Sequence, residues 1–105
     1  MYRGAARPLV RAPPLCPEIH GETGLCGAEL STPDKGAEAE RAVVAMAETI
    51  RTAFQARGGA ERVQLVATGA MTNVALLLSV YPEVAAMVDV SIMGGAHTGG
   101  NTSGQ

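Results

Sequence analysis

Apolar residues recur at three- and four-residue steps through the middle of the chain. Val43, Met46, Ala47, Ile50 and Phe54 share one side of a helical projection, while Arg41, Glu48, Arg51 and Arg57 lie largely off it. This is the pattern of an amphipathic helix with one face toward a core. Thr32 or Asp34 can cap it, Pro33 suits a first-turn position, and Asp34 and Glu38 favour its positive end. Gly58-Gly59 provide the stop, so a helix is predicted across residues 32–58. The period then changes. Val63-Gln64-Leu65-Val66-Ala67 is a short β-branched run ending at Thr68-Gly69, and residues 73–80 read as a helix capped near Thr72 or Asn73. Pro82 breaks that helix, residues 82–87 form a further turn or two, and residues 88–93 make a second apolar run closed by Gly94-Gly95. Strand, helix and strand over residues 62–93 form a βαβ unit, whose crossover is nearly always right-handed. Both strands are apolar with limited alternation, as in a parallel sheet covered on both faces. The predicted class is α/β, with at least two parallel strands.

The two ends carry no such periodicity. Residues 1–31 are rich in Gly and Pro (Pro8, Pro13, Pro14, Pro17), and proline removes amide donors and bars the preceding residue from helix. A loop is predicted there, of a length more often found in functional loops or in segments outside their context. Residues 94–105 are polar and Gly-rich. The 105 residues suit one small domain or part of a larger one. A hydrophobic fraction of 47% with 17% charge is globular in type, but Phe54, Tyr2 and Tyr81 are the only aromatics. Small apolar side chains each bury little area, so a marginal core is expected.

Charge narrows the partners. The net charge is −2, Lys35 is the single lysine, and no basic stripe exists, which argues against nucleic acid as a partner. Arg3, Arg7 and Arg11 read as a solvated edge. No apolar run approaches the ~20 residues of a membrane span, and no apolar stretch follows the early arginines as a secretory signal requires. Cys16 and Cys26 form no CxxC. They read as reduced thiols of a cytoplasmic protein, with a single bridge as the other reading.

Ligands of open α/β sheets gather at the carboxyl ends of the strands. Those ends carry Thr68-Gly69-Ala70-Met71-Thr72-Asn73 and Met93-Gly94-Gly95-Ala96-His97-Thr98-Gly99-Gly100-Asn101. Carbonyls just past a strand lose their ladder partners and become available as hard oxygen ligands, and glycines let a ligand approach the main chain. A binding crevice is predicted, without a named ligand. A phosphate loop is not: no Gly-Lys-Ser/Thr follows the glycines, and no GxGxxG opens a helix after a strand.

At these residues the chain resembles a known family. Leu65-Val66-Ala67-Thr68-Gly69-Ala70-Met71-Thr72-Asn73-Val74-Ala75-Leu76 is similar to the "VATGALTNVAL" stretch of inosine–uridine-preferring nucleoside hydrolases. Ile92-Met93-Gly94-Gly95-Ala96 with Gly100-Asn101 resembles their "MGGA…GN", Gly4-Ala5-Ala6-Arg7-Pro8-Leu9 their "GA..PL", and Ile19-His20-Gly21-Glu22-Thr23-Gly24-Leu25 their "IHGE.GL". The four blocks occur in the family's order. The resemblance implies a parallel-sheet, Rossmann-like nucleoside hydrolase fold, here incomplete, and hydrolysis of ribonucleosides to ribose and free base in purine and pyrimidine salvage. It implies a Ca²⁺ ion that holds the attacking water and the ribose 2′- and 3′-hydroxyls, with the carbonyl of Thr68 as one ligand. Asn101 matches a ribose-binding asparagine, Met93 a methionine lining the pocket, and His20 a histidine on a loop over the site. Residues 1–31 then become the active-site loop region and residues 94–105 the substrate loop. The implied partner is a small ribonucleoside, and the family's homo-oligomers extend that expectation to this chain.

Each residue also has a plainer reading. His20 alone is an ordinary loop histidine, Thr68 a strand end whose hydroxyl bonds nearby backbone, and Asn101 a turn residue. Met93 reads equally as core. Asn73 reads as a helix cap, Glu22 as a loop-fixing carboxylate and His97 as a solvated loop residue. The family's aspartate-rich "DTDPG.DD" motif has no counterpart, because Asp34 and Asp89 are the only aspartates. Calcium takes about 6–8 oxygens, several from carboxylates, so the chain is expected to be an internal segment without turnover of its own. Rival readings are a non-catalytic remnant serving as an interaction module and, further off, an unrelated nucleotide-binding α/β domain.

Overall fold

The computed structural model describes residues 1–13 and 15–99. Its elements are α1 (Pro17–His20), α2 (Ala42–Ala56), β1 (Val63–Ala67), α3 (Thr72–Val80), a 3-10 helix (Pro82–Met87) and β2 (Val88–Ile92). β1 and β2 pair in parallel, with Val63 opposite Val88 and Ala67 opposite Ile92. The βαβ unit read from the sequence is therefore present, and the class is α/β with a small parallel sheet.

The long helix starts later than its composition suggests. Residues 32–41 are not helical, and the extended Arg41 precedes Ala42 with no side-chain cap. The N-terminal segment accounts for the shift. Arg3 bridges Arg41 in parallel, the Glu38 amide donates to the Met1 carbonyl (2.8 Å), and the Ala42 amide donates to the Arg3 carbonyl (3.0 Å). A backbone carbonyl thus takes the place of the side-chain cap expected at Thr32 or Asp34, and satisfies one of the orphan donors of the first turn. The helix ends where predicted. Gly59 donates to the Phe54 carbonyl (3.0 Å) and Gly58 to the Gln55 carbonyl (2.9 Å), a Schellman closure whose left-handed position is Gly58 at φ 75°.

The core lies where α2, α3, the 3-10 helix and the sheet meet. Ala47, Ile50, Leu77, Val84 and Val88 are buried there, with Met46, Val63, Leu65, Tyr81 and Met87 packed around them. Arg51 of α2 ties this layer down from outside: its guanidinium pairs with Glu83 and sits 4.8 Å from the centre of the Tyr81 ring.

Cover on both faces of the sheet is not what the chain shows. Along β1 burial alternates, with Val63, Leu65 and Ala67 half-buried and Gln64 and Val66 exposed, and along β2 only Val88 is buried. The helices occupy one face, and the face carrying Gln64, Val66, Asp89 and Ser91 is open. The region read as loop includes one short helix, α1, whose first residue is Pro17. Cys16 is half-buried and Cys26 exposed, both as free thiols. Among the described residues no helix is long and apolar enough to cross a membrane.

Candidate functional site

The carboxyl ends of the paired strands are brought together as a shared edge. The Met93 amide donates to the Ala67 carbonyl (2.9 Å), which carries the ladder one step beyond β2 and sets Thr68 opposite Met93. Both residues are exposed, Met93 at 68%. Among the described residues no loop or turn amide donates to the Thr68 carbonyl. Thr68 forms the strand end, and α3 begins four residues later at Thr72, which keeps the connection tight.

Asn73 is not the cap of α3. The capping position belongs to Met71, without a side-chain hydrogen bond, and Asn73 lies inside the first turn. Its Oδ1 accepts the amide of Ala5 at 2.8 Å. The N-terminal Gly4-Ala5 pair is thereby attached to the helix that follows Thr68. Sequence reading missed this contact because nothing local to Asn73 signals a partner 68 residues away.

His20 closes α1 and is exposed; the hydrogen bonds of its backbone run to Cys16 and Cys26 (3.0 and 2.8 Å). With Leu15, Cys16, Gly21 and Glu22 it lines a hollow of about 290 Å³. Among the described residues neither hydrogen bond nor ion pair joins this loop to Thr68 or Met93. Asn101 lies outside the described residues. Of the four sequence candidates, the structure therefore brings together Thr68 and Met93.

The acidic residues fall elsewhere. Asp89 sits at the opposite end of the sheet, taking Arg62 Nη1 (3.1 Å) on one oxygen and Gln64 Nε2 (3.1 Å) on the other. That pairing ties the start of β2 to Arg62 and to β1. Glu83 has its carboxyl held below the ordinary range, first by the hydrogen bond from Arg51, and belongs to the packing of α2 against the 3-10 helix. Among the described residues no three His, Cys, Asp or Glu side chains converge on a point that could hold a metal ion. One hard oxygen on Thr68 does not make a calcium site. A second, larger groove of about 390 Å³ runs between α2 and β1, walled by Tyr2, Ala42, Met46, Ile50, Val63 and Leu65. Its lining is largely hydrocarbon, whereas a sugar needs several hydrogen-bonding partners.

The parallel βαβ unit places the chain in the α/β class, in which ligands commonly gather at the carboxyl ends of the strands. The chain belongs to the inosine-uridine preferring nucleoside hydrolase family, which it matches over residues 1–105. It is 43% identical to a probable ribonucleoside hydrolase of Dictyostelium discoideum over 98% of its own length. It is 41% identical to the pyrimidine-specific ribonucleoside hydrolase RihA of Salmonella paratyphi A over 93% of its length. The chain spans only 31% and 30% of those relatives.

Proposed function

We propose that this chain forms one wall of the sugar site of a ribonucleoside hydrolase, which splits the N-glycosidic bond of purine or pyrimidine ribonucleosides into ribose and free base. The observation that carries the reading is the meeting of Thr68 and Met93 at the carboxyl edge of two parallel strands. The names of the relatives support the reaction class. On this reading β1 and β2 belong to a larger doubly wound, Rossmann-like sheet, the protein is cytoplasmic and homo-oligomeric, and its partner is a small nucleoside rather than a nucleic acid or membrane.

Each residue has work suited to its chemistry. Loss of the base develops oxocarbenium charge on the ribose, which a carbonyl oxygen such as that of Thr68 tolerates better than a hydrogen-bond donor would. Met93 offers a flexible apolar wall that follows the sugar ring and excludes bulk water. Asn101 would fix a ribose hydroxyl through a neutral amide, and His20 would approach from the loop of residues 1–31. Calcium is the metal expected, with the Thr68 carbonyl as this chain's contribution. The described residues do not hold such an ion by themselves.

That same lack of converging ligands favours a second reading, a non-catalytic interaction module. One experiment separates the two. Residues 1–105 are exchanged for the matching third of the Dictyostelium relative, and ribose release from inosine and uridine is followed with calcium present. The hybrid is expected to turn over and the 105-residue chain alone is not. A folded hybrid without turnover would leave the interaction module standing.

A further inference from the structure

We propose that Asn73 is a positioning residue, one that clamps the N-terminal Gly4-Ala5 segment to the loop after β1 so that this segment and Thr68 move as one body. The geometry has two independent parts. Asn73 Oδ1 accepts the Ala5 amide at 2.8 Å, a contact bridging 68 positions of sequence. In addition, a Cβ built on Gly4 would lie 2.6 Å from Asn73 Nδ2 and 2.9 Å from its Oδ1. The side-chain amide thus occupies the space a Cβ on Gly4 would need while it accepts from the next amide. Only a residue without a side chain permits that approach.

The position of Asn73 gives the contact its consequence. It stands in the first turn of α3, four residues after the turn that begins at Gly69. A carboxyl-end loop this short follows the helix that closes it. Fixing Asn73 to Gly4-Ala5 therefore ties the strand-end loop to a segment that is itself bonded to the start of α2 through Arg3 and Ala42. A helix cap would stabilise α3 alone, whereas this clamp joins α3 to the N-terminal segment. The inference rests on the ribohydrolase reading for the purpose of the clamp, since that reading makes Thr68 a site residue.

Amide hydrogen exchange on the 105-residue chain tests the clamp without any assay of turnover. Asn73→Ala is expected to speed exchange of the Ala5 amide about fivefold, the loss of one modest hydrogen bond, and to shift the resonances of Thr68 and Gly69. Exchange at Leu65 and Leu77 should stay as it was, which a general loss of stability would not allow. Asn73→Asp keeps the acceptor oxygen and is expected to restore the slow exchange. Gly4→Ala should mimic Asn73→Ala in the native background and add nothing to it in the double variant. An unprotected Ala5 amide in the native chain, or additive effects of the two substitutions, would overturn the clamp. Either result leaves the hydrolase reading intact, because ribose release by the hybrid enzyme is measured separately.

Discussion

Single residues hold this chain together mainly through local chemistry on a few side chains, and Arg51 is the clearest case. It faces Tyr81 and pairs with Glu83, joining α2 to the segment after α3. The hydrogen bond from Arg51 lowers the Glu83 pKa, with a backbone hydrogen bond and the guanidinium charge acting in the same direction. A carboxyl whose folded-state pKa is depressed contributes stability above its unfolded pKa, and loses it as the pH falls through the folded value. A carbon-detected NMR titration should find Glu83 ionising below the ordinary glutamate range. In Arg51→Gln it should return to that range, and an unchanged titration would mean that the pair is not formed in solution. At this scale the sequence was partly legible. Thr68 and Met93 stood out through the resemblance of their blocks to the family, and the two lie opposite each other at the strand ends. Asn73 was misread, since an amide side chain near a helix start has a common local use as a cap. Its actual partner, Ala5, is set by tertiary geometry that no local pattern encodes.

Elements were more legible than residues where periodicity and breakers agree. β1 and α3 fall close to where the apolar runs and Pro82 place them, and Gly58-Gly59 end α2 as read. The start of α2 was legible only as a choice among caps. Thr32, Pro33 and Asp34 suit a first turn, yet residues 32–41 are non-helical and Glu38, Arg41 and Ala42 pair instead with Met1 and Arg3. A sheet-like bridge from elsewhere in the chain outweighs weak helix propensity. The buried layer names the side chain on which these elements depend. Leu77 of α3 is fully buried among Ile50, Val84 and Val88. Truncation of a buried leucine costs about 2–5 kcal/mol, comparable to the whole stability of a small domain, about 5 kcal/mol at the lower end. Leu77→Ala is accordingly expected to lose most of its helical circular-dichroism signal at 25 °C. Val80→Ala, at an exposed position of the same helix, should keep it. Equal signals from the two variants would show that the α2–α3 layer is not the folding core.

For the whole molecule the deciding quantity is apolar surface left without a partner. The radius of gyration is 16.3 Å, against about 13 Å for a compact domain of this length. The described residues before Ala42 carry one four-residue helix and are mostly exposed, which extends the molecule. Val66 is 66% exposed on the open face of the sheet, and Ile92 and Met93 add apolar surface at its carboxyl end. A two-stranded parallel sheet also keeps an unpaired edge on each strand, a template for pairing with another chain. Exposed apolar surface and open edges favour association over a cooperative monomer, and a core built largely of alanine and valine gives the monomer little to offset this. Sedimentation velocity of the 105-residue chain should therefore show concentration-dependent association. Urea unfolding should be broad, with a slope below the ~1 kcal/mol per molar typical of small domains. Placing a charge on the open face, as in Val66→Lys, should reduce association without weakening the buried layer, because Val66 takes no part in it. A sharp transition from a strictly monomeric species would instead mean that the open face and edges are satisfied within the chain.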